Sequence, residues 1–429
     1  MNYPKLILQK GKEVSLLRKH HWVFSGAIAK GTEEVKNGDL VAVHSSKNEF
    51  LGIGHFSQGS IMVRIISFEE RPIDLAFWIE KLGAAYAVRK ALQLTDQKET
   101  TVYRLVHGEG DGLPGLIIDY YQGTAVIQAH NIGMHQHLAS ISEGLQAVYG
   151  KQLKGVYDKS AETLPKTEGG IGNEWVWGKA ETDVVKEYGA SYKIDWEKGQ
   201  KTGFFIDQRE NRKLVASYSK GKKVLNTFCY SGGFSVLALQ EGAKEVHSVD
   251  ISQKAIELTD ENVALNAGFK GKHESIVADV VKYIREIGED FDLIVLDPPA
   301  FAKSLKARHN AVQAYKRLNA EALRKIKPGG ILFTFSCSQV VDKRLFANTI
   351  TAAALESAKG VIRSAVGRDL QTRITPTIEF IEDGLPESAK AMDSLLDRVH
   401  ALDAEVAKLR MGATPTAEDP YKVPRVIED

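Results

Sequence analysis

The sequence has few cysteines and no long apolar run. Cys229 and Cys337 are its only cysteines among 429 residues, which excludes a disulfide framework and any CxxC zinc site. We expect no metal, and two thiols in so long a chain are typical of a reduced, cytoplasmic location. The apolar run at 6–8 is too short for a signal-peptide core. No run reaches about 18 apolar residues, so we expect no membrane span.

Charge of one sign is not in excess either. Lys and Arg total 56 and Asp and Glu total 55, so the net charge is only +1. This balance neither requires nor excludes a nucleic-acid partner, because an RNA-binding protein of this kind must gather its cations on one face. The apolar fraction of 43% supports packed cores and excludes global disorder.

The strand and helix signals divide the chain into four segments, 1–72, 73–195, 196–352 and 353–429. In the first, short β-rich runs broken by glycine and asparagine predict a small barrel. In the second, strands between helical patterns at 73–94 and 135–149 predict an α+β module.

The third segment alternates strands with helices. Its five predicted strands lie at 224–228, 245–249, 273–278, 291–296 and 330–335. The alternation predicts an α/β domain with a doubly wound, Rossmann-like parallel sheet.

The first of these strands leads into a turn that suits a cofactor. Gly232 allows a ligand to approach the backbone closely, and the helix start that follows offers free N–H groups. Asp250, at the tip of the second strand, can accept both hydroxyls of a ribose, and Asp279, after the third, can accept from an adenine amino group. GxGxxG is absent, which favours S-adenosylmethionine (SAM) over a dinucleotide or an ordinary Rossmann crossover.

The fourth strand ends in Asp297, followed by Pro298, Pro299 and, two residues on, Phe301. Asp297 is expected at the carboxyl edge of the sheet, beside the cofactor. The prolines hold the loop open, and Phe301 offers a flat face on which a base can stack. The alternative is an acidic strand end capped by a rigid turn.

The fifth strand ends next to Cys337, where a nucleophile for a neighbouring base would stand. A thiolate that adds to carbon 6 of cytosine makes carbon 5 nucleophilic enough to take a methyl group, after which a proton leaves carbon 5 and the thiolate departs. Asp297 is suited to hold the N3/N4 edge of the base. The alternative for Cys337 is a buried, small apolar residue, which is the favoured interpretation for Cys229.

The segment 200–212 joins the second and third parts of the chain and combines an amide, a cation and a hydroxyl. Lys201, Thr202 and Gln208 could grip the SAM carboxylate or a phosphate. The alternative is a charged helix start on a solvated face.

These motifs resemble the class I methyltransferases that form 5-methylcytosine in bacterial 23S rRNA. The matching runs are Gln-Lys-Thr-Gly-Phe-Phe-x-Asp-Gln-Arg-x-Asn-Arg (200–212), Asn-Thr-Phe-Cys-Tyr-Ser-Gly-Gly-Phe-Ser (226–235), Asp-Pro-Pro-Ala-Phe (297–301) and Ser-Cys-Ser (336–338). Residues 17–28 are similar to the opening of that family's RNA-binding PUA domain, and 108–115 to its middle domain. The resemblance covers about 3–352.

The resemblance implies that Cys337 is the nucleophile and Asp297 the contact to the cytosine edge, with rRNA as partner. It also implies a set of residues around SAM: Asn226, Phe228, Gly232, Asp250 and Asp279. Many cytosine-5 enzymes carry Pro-Cys where this chain has Pro298-Pro299. The second cysteine that assists product release is therefore missing.

After residue 352 the resemblance stops. Residues 353–366 predict a helix, 377–381 a strand and 386–409 an amphipathic helix, followed by a polar tail. The runs 354–364 and 375–380 resemble the second half of ribosome-binding factor A, a KH-like protein, which implies a junction of two partial proteins.

Two other functions remain open at this level. One is methylation of a guanine or adenine nitrogen, which needs no thiol, and the other is a non-catalytic role in ribosome assembly. Arg18 and Lys19 are candidate RNA contacts in the first segment, although scattered solvated charge is the alternative. A homodimer also remains open.

Overall fold

The computed structural model describes residues 3–164, 171–266 and 268–370, the last ten by backbone alone. The chain divides into two compact units, Met1–Ser357 and Ala358–Asp429. The account below concerns the first unit.

A six-stranded sheet occupies the N-terminal part. Its strands are β1 (Lys5–Leu8), β2 (Trp22–Phe24), β3 (Ile28–Lys30), β4 (Leu40–His44), β5 (Phe50–Phe56) and β6 (Ile61–Ser67), with the short helix α1 (Val14–Leu17) after β1. Their order is β2-β6-β5-β4-β1-β3. Alternate residues such as Val41, Val43, Val63 and Ile65 are buried, because successive side chains of a strand point to opposite faces.

A second, five-stranded sheet follows, covered by helices. The elements are α2 (Leu75–Ala91), β7 (Val102–His107), β8 (Leu116–Tyr121), β9 (Thr124–Ala129), α3 (Ile132–Gln136), α4 (Leu138–Tyr149), β10 (Gly155–Asp158) and β11 (Glu174–Gly178). The strand order is β11-β10-β9-β8-β7. The helix predicted at 135–149 is in fact part of two helices. Asn131 caps the first by accepting from the Met134 N–H, and the helical conformation is interrupted at His137.

A short hairpin leads to the α/β part. The hairpin is β12 (Val184–Glu187) and β13 (Ala190–Lys193). The elements that follow are α5 (Arg209–Ser217), β14 (Lys223–Thr227), α6 (Gly233–Gln240), β15 (Glu245–Asp250), α7 (Gln253–Ala264), β16 (Lys272–Val277), α8 (Val280–Glu286), β17 (Phe291–Leu296), α9 (Arg308–Lys325), β18 (Ile326–Thr334) and α10 (Lys343–Leu370).

The five strands of this part form one sheet in the order β16-β15-β14-β17-β18, and every neighbouring pair is parallel. The predicted α/β class with a Rossmann-like sheet is confirmed. The chain reverses its direction of winding at β14, between β15 and β17. In open parallel sheets a ligand crevice forms at the carboxyl ends of the strands at such a point.

Two predicted boundaries differ from the structure. β18 begins at Ile326 rather than 330, because its first residues already pair with Phe291 across an irregular register. The helix predicted at 353–366 is the middle of the longer α10. The strand predicted at 377–381 and the helix predicted at 386–409 lie outside the described residues. None of the described helices is long and apolar enough to cross a membrane.

Candidate active site

The sheet topology gathers the predicted residues at one edge. β14, β15, β17 and β18 are parallel neighbours, and their carboxyl ends lead to Phe228, Asp250, Asp297 and Cys337, respectively. Residues that lie more than 100 positions apart in sequence therefore line one crevice.

The turn after β14 is held in an uncommon backbone conformation. Phe228, Tyr230 and Gly232 have φ values of +55°, +49° and +72°. A Cβ at Gly232 would lie 2.6 Å from Cγ2 of Thr259, so glycine is required there for space as well as for φ. Strained non-glycine residues cluster at functional sites, because the strain persists only where the surroundings enforce it.

Asp250 supports this turn and keeps capacity for a ligand. One carboxylate oxygen accepts from the Tyr230 N–H at 3.1 Å and the other from the Ser252 N–H at 2.9 Å. Each oxygen has a further lone pair, so two ribose hydroxyls can still donate to it. Asp279 is exposed at the start of α8, where one oxygen accepts from the Lys282 N–H at 3.0 Å and the other has no hydrogen-bond partner among the described residues.

An apolar surface flanks these two acids, and the sequence reasoning did not single it out. Ile251 is 70% exposed and Val277 is 47% exposed. Ile251 directly follows Asp250, and Val277 is the parallel-strand partner of Asp250. An apolar residue one or two positions from a strand-end acid was the signal available in the sequence. Such a surface suits the flat face of an adenine.

Asn226 lies near the end of β14, just before the turn, and one atom of its side chain lacks a hydrogen-bond partner among the described residues. Its Nδ2 donates to Ser235 Oγ at 2.8 Å, and a chain of hydrogen bonds continues to Ser248 and His273. Its Oδ1 is buried and has no partner among the described residues. Buried polar atoms are nearly always paired, so this oxygen marks a place where a bound donor would be stabilised.

Asp297 is held by the side-chain amide of Gln208, which is itself held by the side-chain amide of Asn211. Gln208 Nε2 donates to its two oxygens at 3.3 and 3.4 Å, and Asn211 Nδ2 donates to Gln208 Oε1 at 2.6 Å. Burial, and then the charge of Asp207, raises the pKa of Asp297 to about 6. A carboxyl group with this pKa changes its charge near neutral pH.

Cys337 is exposed, so the alternative of a buried apolar residue is wrong for it. Its Sγ donates to the carbonyl oxygen of Pro298 at 3.7 Å, which seats the thiol against the loop that begins with Asp297. Partial burial of the sulfur, followed by the negative charge of Asp297, raises the pKa of Cys337. Cys229 is buried against Thr259, and burial raises its pKa to about 12.

The three candidate residues of the 200–212 segment differ in whether they reach the crevice. Lys201 pairs with Asp207 at 2.9 Å and lies near enough to Asp297 to lower its pKa. The Thr202 hydroxyl does not reach the crevice: it is fully buried and donates to Asp119 at 2.6 Å, within 2.7 Å of the Tyr121 hydroxyl. Gln208 is the member of this segment that reaches Asp297.

The predicted base contacts also differ from one another. Pro298 is buried, and Phe301 packs edge-on against Tyr315 with ring centroids 4.7 Å apart, so only part of its surface is free. Arg18 and Lys19 are exposed in the turn between α1 and β2, where the Lys19 ammonium lies 4.8 Å from the ring centroid of Phe68.

Two family models match the chain. Residues 104–359 match the S-adenosylmethionine-dependent methyltransferase model, and residues 6–68 match the PUA-like domain model.

Relatives of known name and a solved structure agree with these matches. Ribosomal RNA large subunit methyltransferase I from Salmonella arizonae is 37% identical over 368 residues, which cover 84% of this chain and 90% of the relative. The protein of the same name from Aeromonas hydrophila is 38% identical over 82% of this chain and 90% of its own length. The crystal structure of SMU.776, assigned as a methyltransferase and complexed with SAH, has a TM-score of 0.67 at 24% identity, covering 81% of this chain and 90% of that one.

Proposed function

Because the chain belongs to the family of SAM-dependent ribosomal RNA large subunit methyltransferase I, we propose that it methylates carbon 5 of a cytosine in large-subunit rRNA through a Cys337 adduct. The observation that carries the proposal is the placement of an exposed thiol against the Pro298 carbonyl, one residue after Asp297. Methylation of a base nitrogen needs no thiol there.

The residues around the β14 turn suit SAM. Asp250 can accept from the ribose hydroxyls, Asp279 from the adenine amino group, and the orphaned Asn226 oxygen from a further donor. Phe228 and Gly232 shape the turn that faces the cofactor, and Lys201 supplies a cation for its carboxylate. When bound, SAM supplies an electrophilic methyl group.

Cys337 and Asp297 act on different atoms of the base. The thiolate forms a bond to carbon 6, and N3 takes a proton from Asp297, so that carbon 5 becomes nucleophilic. After carbon 5 has been methylated, it loses its proton to a base, the carbon–sulfur bond breaks, N3 returns its proton to Asp297, and the thiolate is restored. The raised pKa of Asp297 keeps part of it protonated near neutral pH, which allows donation to N3 and acceptance from the N4 amino group.

The two groups are coupled. The Asp297 charge disfavours the thiolate, so the reactive pair combines a neutral Asp297 with an ionised Cys337. A base that engages Asp297 removes the opposing charge and favours the thiolate at the moment when it is needed. The base must be unpaired or flipped out, because carbon 6 is not accessible inside a stack.

The remaining parts would serve the same reaction. We assign RNA binding to the PUA-like part, 1–72, with Arg18 and Lys19 as contacts, and the cofactor and chemistry to 196–352. A substrate in the ribosome implies a cytoplasmic reaction.

The test uses unmodified large-subunit rRNA, isotopically labelled SAM and mass spectrometry of the product nucleosides. We expect 5-methylcytosine from the wild type and from Cys229→Ala, the matched thiol control, and none from Cys337→Ala. RNA that carries 5-fluorocytosine should trap a covalent complex with the wild type. A base can remove the hydrogen at carbon 5 as a proton but cannot remove a fluorine, so the carbon–sulfur bond cannot break. A different methylated base, formed equally well by Cys337→Ala, would contradict the adduct mechanism.

A further inference from the structure

A basic groove lies beside the catalytic loops. It forms a cavity of about 500 Å³ between the first turns of α9 and α10. Its lining consists of Arg308, His309, Val312, Asp342, Arg344 and Leu345, with Asn348 one turn further along α10. No part of the proposed mechanism uses these residues.

Both helices that form the groove, α9 and α10, follow segments of the active site. α9 follows the loop that begins with Asp297, and α10 follows the segment that contains Cys337. The two segments are fastened together, because Ser338 Oγ accepts from the Ala302 N–H at 3.5 Å and lies 3.0 Å from the Tyr315 hydroxyl. The groove is therefore bounded by the helices that follow the two segments carrying Asp297 and Cys337.

The charge around the groove is one-sided. Residues 298–320 contain no carboxylate and five cations: Lys303, Lys306, Arg308, Lys316 and Arg317. Across the groove stands Arg344, and the single acid of the lining, Asp342, uses one oxygen to cap α10 by accepting from the Leu345 N–H at 2.9 Å. In a chain whose net charge is only +1, this concentration is a local feature.

The cations are also available. Lys303, Lys306, Arg308 and Arg344 are exposed, and no acidic partner within 3–164, 171–266 or 268–360 pairs with any of them. Arginine presents a planar fork of donors that matches phosphate oxygens. Unpaired, exposed arginines on both walls of one groove suit an anion that runs along it.

We propose that this groove binds the phosphodiester backbone of the RNA strand next to the target nucleotide, with Arg308 and Arg344 as the principal phosphate contacts. Lys303 and Lys306 extend the track along the exposed loop. A continuous backbone fits better than a small anion, because the cations are spread along a loop and two helices rather than focused on one point. The inference rests on the proposed function for its substrate.

The experiment measures binding of unmodified large-subunit rRNA to the full chain over a range of salt concentrations. For Arg308→Ala/Arg344→Ala we expect the Kd to rise at least about ten-fold and the salt slope to fall by about 1 per removed cation. The KM for RNA should rise with the Kd, while kcat and the affinity for SAM stay at the wild-type values. The charge-conserving Arg308→Lys/Arg344→Lys should recover most of the salt slope.

Lys220→Ala/Lys244→Ala is the matched control. It removes two exposed cations at the amino-terminal edge of the same sheet, far from the strand tips, and should bind RNA as the wild type does. As a readout that needs no variant, ultraviolet cross-linking of the wild type to RNA should mark peptides from 303–309 and 342–348.

Wild-type Kd and salt slope in the double alanine variant, or cross-links that avoid both segments, would overturn the proposal. Release of RNA by inorganic pyrophosphate beyond the effect of matched ionic strength would show a small-anion pocket and overturn it as well. Failure of the proposed function looks different: the product would be a base other than 5-methylcytosine, while the binding results would stand.

Discussion

At the scale of single residues, one charge links the two reactive groups. Asp297 raises the pKa of Cys337, and its own pKa of about 6 reflects burial and the nearby Asp207. Asp297 therefore acts on the base directly and on the thiol through its field. Substitutions that keep its shape but remove its charge separate the two effects.

Asp297→Asn should change activity and thiol reactivity in opposite directions. The amide still bonds to the N3/N4 edge but cannot give a proton to N3, so we expect turnover to fall by a factor of about 10² to 10⁴. The pKa of Cys337 should fall because the opposing charge is gone. Rates of alkylation by iodoacetamide against pH, with mass spectrometry to assign the cysteine, measure this shift. A slower alkylation of Cys337 in the variant would contradict the coupling.

The same substitution should affect stability in a pH-dependent way. The folded pKa of about 6 lies above the ordinary value of 3.8, so the folded state holds this proton more tightly and loses stability as the pH rises through 6. Asp297→Asn should thus be more stable than the wild type at pH 7.5, by about 3 kcal/mol at most. The advantage should shrink towards pH 4.5. Thermal unfolding midpoints across this range provide the measurement, and an advantage independent of pH would rule out this cause.

At the scale of elements, a buried ion triad fixes the segment that presents Gln208 to Asp297. Glu187, at the end of β12, accepts from Arg212 at 2.7 Å and from Arg209 at 3.0 Å, both on α5. The Glu187 side chain is fully buried, and Arg212 also donates to the Phe205 carbonyl. The hairpin thereby anchors α5 and the loop before it.

Glu187→Ala should cost about 3–5 kcal/mol of unfolding free energy, because it leaves two arginines buried without a counter-charge. Lys193→Ala is the matched control, since it removes the exposed Lys193–Glu261 pair between β13 and α7 and should cost less than about 1 kcal/mol. Chemical denaturation of both variants measures the contrast. Equal losses would show that the triad contributes no more than a surface pair.

Sequence patterns located most elements and missed certain ends. β14, β15 and β17 agree with their predictions to within a residue, because short runs that contain valine, leucine or isoleucine and lie between turn residues mark strands. The break between α3 and α4 and the early start of β18 were missed, because a local cap decides the first and cross-strand pairing with β17 the second.

At the scale of the whole molecule, binding of the cofactor should be linked to stability. SAM at 100 times its Kd should stabilise the fold by about 2.7 kcal/mol, which thermal unfolding detects. Asp250→Asn should lower the affinity for SAM by about ten-fold or more, since it removes a charged acceptor, and with it most of the shift. Asp290→Asn, exposed at the opposite edge of the sheet, is the control. An undiminished shift in Asp250→Asn would exclude Asp250 from the cofactor site.

The C-terminal residues bear on the whole molecule as well. The family match ends at residue 359, close to the limit of about 352 expected from the sequence. The KH-like interpretation of 354–364 and 375–380 stays a prediction. Removal of 371–429 followed by the methylation assay shows whether these residues affect the reaction.

The sequence by itself determined the fold class, the family and the reactive residue types, because alternating strands, the turn at 229–233 and the Asp-Pro-Pro and Ser-Cys-Ser motifs are local patterns. It did not determine which of these residues reach the crevice. Thr202 and Gln208 lie six positions apart, yet the first is buried against Asp119 and the second bonds to Asp297. The basic groove likewise joins Arg308 to Arg344 because β17 and β18 pair in parallel and the helices that follow them, α9 and α10, pack together. Local motifs follow from neighbours in sequence, whereas orientation, burial and shared charge follow from how distant segments pack.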